Sequence, residues 1–187
     1  MKYFKKLVGE RIYLSPRSSE DAEKYVEWFS DFEISDYIRK SGKVMTVEAE
    51  RKFLEENCTP DATFSIVTLE DDKFIGSISL ESINSISRTA TLGIFIGEKE
   101  YLSNGYGTEA IKLILDFGFN YLNLNNVKLD LIEVNERALN CYKKCGFKEY
   151  GRRRKCNFVN GKYYDDIAMD ILAEEFKGSY IKNKNIQ

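Results

Sequence analysis

Between residues 90 and 122 the apolar positions change their period. Ala90, Leu92, Ile94 and Ile96 fall on alternate positions, as on one face of a strand, whereas Ile111, Ile114, Leu115, Gly118 and Leu122 recur at helical spacing. The segment Leu102-Ser103-Asn104-Gly105-Tyr106-Gly107-Thr108-Glu109-Ala110 lies between them and puts two glycines at the start of the helix. The first N–H groups of a helix have no internal partners and carry the positive end of its dipole, so a glycine-rich entry admits a phosphate closely. Glycines before a helix are also ordinary turn residues, and other features must separate the two readings.

Upstream, Arg11 to Leu14 reads as a first strand stopped by Pro16. Ser18 or Ser19 caps a helix from about Glu20 through Trp28 and Phe29, and a second helix is expected from Thr46 to Asn57. Thr63 to Leu69 and Lys73 to Leu80 form a hairpin around Glu70-Asp71-Asp72 that leads into the strand at Ala90. After the glycine-entry helix, Val127, Leu129 and Leu131 mark a strand ending near Glu133-Val134-Asn135. A short helix from about Glu136 to Lys144 then stops at Gly146. Arg152 to Val159 and Lys162 to Leu172 pair across the Asn160-Gly161 turn. The order is strand, two helices, three strands, helix, strand, helix, two strands. It predicts an α/β (α+β mixed) fold with a mixed, mostly antiparallel twisted sheet of about seven strands and about four flanking helices. Residues 1–177 form one domain, and 178–187 are a polar tail, frayed beyond Lys177.

Composition narrows the chemistry. The chain has 187 residues and no histidine, which removes Ser-His-Asp and Cys-His nucleophile systems, His-ligated zinc and His bases. Any acid or base is Glu, Asp, Tyr, Lys or Cys. Cys58, Cys141, Cys145 and Cys156 make no Cys-x-x-Cys pair and read as free thiols in a reducing cytoplasm. With 28 basic and 30 acidic residues the chain is no general nucleic-acid binder, and Arg152-Arg153-Arg154-Lys155 reads as a solvated edge. No membrane span or signal-peptide core is evident. A nucleotide site is a weak reading, because the glycine loop lacks both the Gly-Lys-Ser/Thr ending and Gly-x-Gly-x-x-Gly.

Three segments carry a resemblance. Leu102 to Ala110 resembles (Gln/Arg)-x-x-Gly-x-(Gly/Ala), and Val134 to Phe147 resembles Asn-x-x-Ala-x-x-x-Tyr-x-x-x-Gly-Phe through Asn135, Ala138, Tyr142, Gly146 and Phe147. The closing Phe158 to Asp166 resembles a terminal hairpin. Together they resemble the GNAT superfamily of acyl-CoA-dependent N-acetyltransferases, in the branch of ribosomal-protein N-terminal and spermidine acetyltransferases.

The resemblance implies acetyl-CoA as donor and direct transfer to a primary amine, either a protein N-terminus or a polyamine. It implies backbone bonds from Ile94, Phe95 and Ile96 to the pantetheine arm and thioester carbonyl. Leu102, Ser103, Asn104, Gly105, Tyr106, Gly107 and Thr108 would wrap the pyrophosphate, Asn135 and Asn140 would touch the arm, and Tyr142 would act as acid at the sulfur. A phenol with a pKa of about 10 suits a departing thiolate whose acid has a pKa of about 8.5. The branch often has glutamate where this chain has Thr91, so the base is left to Glu81, Glu133 or a water chain. Leu102 departs from the motif's Gln or Arg. Asp31, Glu33 and Asp36 form an acidic cluster that could attract a basic acceptor or be a solvated helix end. These departures leave open a catalytically idle acyl-CoA-binding sensor or interaction module. The closing hairpin offers an edge through which two copies could form a homodimer.

Overall fold

In the computed structural model, which describes residues 2–56 and 62–183, the period-2 segments become strands of one sheet. The elements are β1 (Leu7–Val8), β2 (Ile12–Pro16), α1 (Ala22–Ser30), α2 (Phe32–Ser35), α3 (Val47–Glu56), β3 (Ala62–Thr68), β4 (Phe74–Asn84) and β5 (Thr89–Ile96). They continue with α4 (Tyr106–Asn120), β6 (Asn126–Ile132), α5 (Glu136–Lys144), β7 (Lys148–Val159) and β8 (Lys162–Leu172). The sheet has eight strands in the order β1-β2-β3-β4-β5-β6-β8-β7. Every neighbouring pair is antiparallel except β5 with β6, which the α4 crossover makes parallel. Two elements exceed the expected seven strands and four helices. Both β1 and α2 are too short to express a hydrophobic period. Cys58 lies outside the described residues.

Burial divides β4 by face. Ile78 and Leu80 join a core with Ile111, Ile114 and Leu115 of α4, while Ser77 and Ser79 are buried on the other side. Over that side α1 and α3 bring Ala22, Tyr25, Trp28, Phe29 and Leu54 against Phe74 and Phe95. Trp28 lies so close to Gly97 that a Cβ there would meet its ring at 2.0 Å. The indole Nε1 donates to Glu98 Oε1 at 3.1 Å, which seats α1 at the end of β5.

The C-terminal segment is docked through Asn183, whose side chain accepts the Val8 amide and donates to Lys6 O, contrary to the expectation of fraying beyond Lys177. Asp116 of α4 is fully buried, and its Oδ2 accepts the amides of Tyr180 at 2.6 Å and Ile181 at 3.1 Å. Ile181 is buried in the main core, and the Lys182 amide donates to Val8 O at 2.7 Å. A buried carboxylate in the α4 stripe needs such donors, and the tail supplies them. Lys184 and Asn185, also assigned to the tail, lie outside the described residues. Among the described residues no helix is long and apolar enough to cross a membrane.

Asp116→Ala should leave these amides unsatisfied and lower the unfolding free energy by about 1–3 kcal/mol in a urea titration. A change below about 0.5 kcal/mol, the range of an ordinary surface substitution, would contradict this role for the tail.

Candidate active site

The site begins where two parallel strands separate. β5 and β6 pair only through Thr89 with Asn126, Ala90 with Val127 and Thr91 with Lys128. Beyond Thr91, β5 remains paired with β4 through Gly76 and Ile96, but its other edge has lost its partner. A cavity of about 910 Å³ occupies the splay, and its lining includes Leu92 to Ile96, Asp130 and Leu131. Unpaired strand edges expose N–H and C=O groups, so the splay can take an extended chain rich in amides.

The glycine loop closes one end of this cavity. Gly105 is the N-cap of α4 at φ +86°, no side chain caps the helix, and Ser103 is also left-handed at φ +61°. The first amides of α4 are therefore available to an anion. Leu102, Ser103, Gly105, Gly107 and Thr108 line the cavity. Asn104 and Tyr106, included in the loop motif, are not in that lining. Asn104 Nδ2 donates to Glu100 O at 2.8 Å, and the Tyr106 ring packs edge-on against Tyr101 and beneath Arg11, whose guanidinium carbon is 4.3 Å from the ring centroid.

A brace absent from the sequence reading fixes the loop. Glu109 Oε1 accepts the amides of Glu10 at 2.8 Å, Arg11 at 2.9 Å and Ile12 at 3.3 Å, while Oε2 accepts Arg11 Nε at 3.1 Å. Arg11 NH1 then donates to Asn104 O at 3.0 Å. One carboxylate at the positive end of α4 thus ties the β1–β2 turn to the glycine loop. No local pattern links residues so far apart in sequence.

On the opposite wall, Asn135 caps α5 by accepting the Ala138 amide at 3.1 Å, which sets the helix start. Asn135, Ala138, Asn140, Cys141 and Tyr142 line the cavity. Tyr142 is 8% exposed and packs edge-on against Phe147. Burial, followed by the neighbouring thiols Cys141 and Cys145, raises its pKa and keeps the phenol protonated. Cys141 Sγ lies 3.2 Å from Thr108 Oγ1. Hydrogen bonding from Cys145 and Thr108 lowers the Cys141 pKa, so it is the thiol of this pair inclined to ionise.

The base candidates separate. Glu81 stands opposite Thr91 in the β4–β5 register, lines the cavity, and accepts a hydrogen bond from Ser79 Oγ at 2.7 Å. A carboxylate therefore stands beside Thr91, one strand over. Glu133 is not among the cavity residues: its Oε1 accepts the Asp165 amide at 2.9 Å and its Oε2 lies 4.0 Å from Arg152. It belongs to the β6–β8 junction, a pairing invisible in the local pattern. The acidic cluster also falls outside the main cavity. Lys99 bridges Asp31 at 2.7 Å and Glu33 at 2.6 Å and holds the Asp31 carboxyl below its ordinary pKa; Glu33 and Asp36 line a separate depression. Sequence proximity had grouped these acids without revealing their cation.

Comparison with known proteins decides the family. The model described as "Acetyltransferase (GNAT) domain" matches residues 11–148. The chain belongs to the GNAT acetyltransferase family. It is 29% identical over 177 residues to the probable N-acetyltransferase YjcK of Bacillus subtilis, covering 89% of this chain and 96% of that protein. It is 30% identical over 151 residues to the spermidine N(1)-acetyltransferase of Vibrio cholerae, covering 80% of each. A crystal structure of spermidine N-acetyltransferase from Vibrio cholerae in complex with CoA and spermine shares the fold at TM-score 0.78 and 24% identity, over 88% of this chain and 96% of that one. As a GNAT acetyltransferase, the chain transfers an acetyl group from acetyl-CoA to an amine.

At Gly105 a side chain carries both the left-handed cost and a contact with Arg11 NH2, 3.2 Å from a Cβ. Gly105→Val should weaken acetyl-CoA binding by about tenfold or more in calorimetry, since left-handed strain of about 1–2 kcal/mol would be relieved by moving the loop. An unchanged Kd would contradict the loop's part in binding.

Proposed function

We propose that this enzyme acetylates a primary amine of a polyamine, with Glu81 as general base and Tyr142 as general acid. The observation that carries the reading is that Glu81 and Tyr142 line one cavity with the unpaired edge of β5. An amine entering between them would meet a carboxylate that can take its proton, while the departing thiolate would meet a phenol that can supply one. Burial favours the protonated phenol at neutral pH.

The residues present fit acetyl-CoA. The open edge of β5 at Ile94, Phe95 and Ile96 suits the amide-bearing pantetheine arm, with Asn135 and Asn140 on the facing wall. Leu102, Ser103, Gly105, Gly107 and Thr108 would surround the pyrophosphate, bound chiefly by main-chain N–H groups. Leu102 supplies no polar side chain where the family motif has Gln or Arg, but Arg11 brings its guanidinium to the same loop. Acetyl-CoA supplies the activated acyl group; the chain's own work is to align the arm, take the amine proton and protect the phenol's proton from solvent.

The polyamine acceptor is supported by the similarity to spermidine N(1)-acetyltransferases. It is supported also by the carboxylate lining beyond β5, where Glu81 is joined by Glu50. Glu81 makes the idle-sensor reading unnecessary, because the carboxylate missing at Thr91 is present on the neighbouring strand.

Tyr142→Phe and Glu81→Gln should each reduce kcat for spermidine by about 10²–10⁴-fold while acetyl-CoA affinity stays near wild type. Acetylated product is best quantified by mass spectrometry, independently of the protein's own thiols. Turnover close to wild type in either variant would remove that residue from the proposed role.

A further inference from the structure

Glu50 is the polar residue that the fold explains least. It belongs to the buried face of α3 with Leu54, yet it is a carboxylate, 2% exposed, and its Oε2 has no hydrogen-bond partner among the described residues. Its side chain lines the same cavity as Glu81, alongside Tyr25, Phe29, Phe53 and Ser77. Burial raises its pKa against the opposing influence of Lys40, Arg17 and Lys43. A buried carboxylate oxygen that no neighbouring cation reaches with a hydrogen bond is costly, so its presence on the wall of a substrate cavity points to a cationic or hydrogen-bonding ligand.

Lys40 provides the complementary clue. Its Nζ lies 5.1 Å from the Phe29 ring centroid and 5.9 Å from that of Phe53, both of them lining residues of this cavity. Among the described residues its ammonium donates no hydrogen bond and makes no ion pair, and burial lowers its pKa. An alkylammonium therefore already sits against aromatic rings within the field of Glu50 and Glu81, held by cation–π and long-range charge attraction with no direct ion pair. A stronger cation with room to reach Glu50 can replace it.

We propose that Glu50 is a specificity-determining residue that takes the distal ammonium of the acceptor, and that Lys40 vacates the Phe29 and Phe53 rings when this ammonium enters. The inference rests on the polyamine reading. Glu81 and Tyr142 act at the amine being acetylated, whereas Glu50 reads a second charge on the same molecule. A monoamine would not engage it.

The test compares propylamine, 1,4-diaminobutane and spermidine as acceptors at saturating acetyl-CoA. In Glu50→Gln the KM for the diamine and for spermidine should rise about tenfold or more, the loss expected for a charge-assisted hydrogen bond, with kcat and the propylamine kcat/KM within about twofold of wild type. Lys40→Met should lower the spermidine KM, and Lys40→Arg should restore the wild-type value. A fall in kcat/KM of equal size for all three amines would mark Glu50 as merely structural and overturn the inference, as would an unchanged spermidine KM. If wild-type enzyme acetylates propylamine or a peptide N-terminus but neither polyamine, the polyamine reading itself fails and takes the distal site with it. That outcome is visible before any variant is made. Loss of folding in Glu50→Gln would be detected by thermal unfolding, and Glu50→Asp then serves in its place, with the same KM rise confined to the polyamines.

Discussion

The separation of β5 from β6 after Thr91 is the constraint on which the rest of this structure depends. Parallel strands are ordinarily paired along their shared length, and leaving one edge open exposes backbone groups that only water or a ligand can satisfy. The open edge is tolerable because β5 stays paired with β4 from Thr91 to Ile96 and because α4 and α5 wall the cavity on either side. The candidate groups line this gap: the glycine loop at one end, Tyr142 on the facing helix, and Glu81 at the point where pairing stops.

The site's precision comes from contacts outside it. Glu109 gathers amides from the β1–β2 turn and the Arg11 guanidinium, so the glycine loop is fixed by a strand far away in sequence. Trp28 closes over Gly97 and bonds Glu98, which anchors the aromatic helices over the Ser77 and Ser79 face of the sheet. Asn135 sets the first turn of α5 and hence the direction of Tyr142. A loop or helix held in this way positions its ligand groups without reorganisation on binding, which is where preorganised sites gain their advantage.

Much of this was legible from local pattern. The change from alternation to helical spacing around Gly105 and Gly107 located the loop, and Asn135, Ala138 and Tyr142 fell on the cavity wall as their motif implied. What local pattern could not carry was nonlocal pairing. Nothing near Glu133 in sequence reveals the Asp165 amide that it accepts, and the choice between an acceptor-attracting cluster and a solvated helix end at Asp31 and Glu33 stays open in sequence because Lys99 lies far along the chain. The brace between Arg11 and Glu109 is hidden for the same reason. Glu50 did leave a trace: it occupies a core-facing position three residues after Val47 and four before Leu54, where an apolar residue belongs. Ser77 and Ser79 likewise put a polar face on a strand buried on both sides.

The most direct measurement is amide hydrogen exchange with and without acetyl-CoA. The account predicts that protection concentrates in peptides covering Leu92 to Ile96 and Tyr106 to Thr108, the unpaired edge and the first turn of α4, with little change in the β7–β8 hairpin. Protection confined to other regions, with exchange at Leu92 to Ile96 unaltered by bound acetyl-CoA, would contradict the central claim that the gap between β5 and β6 is the cofactor site.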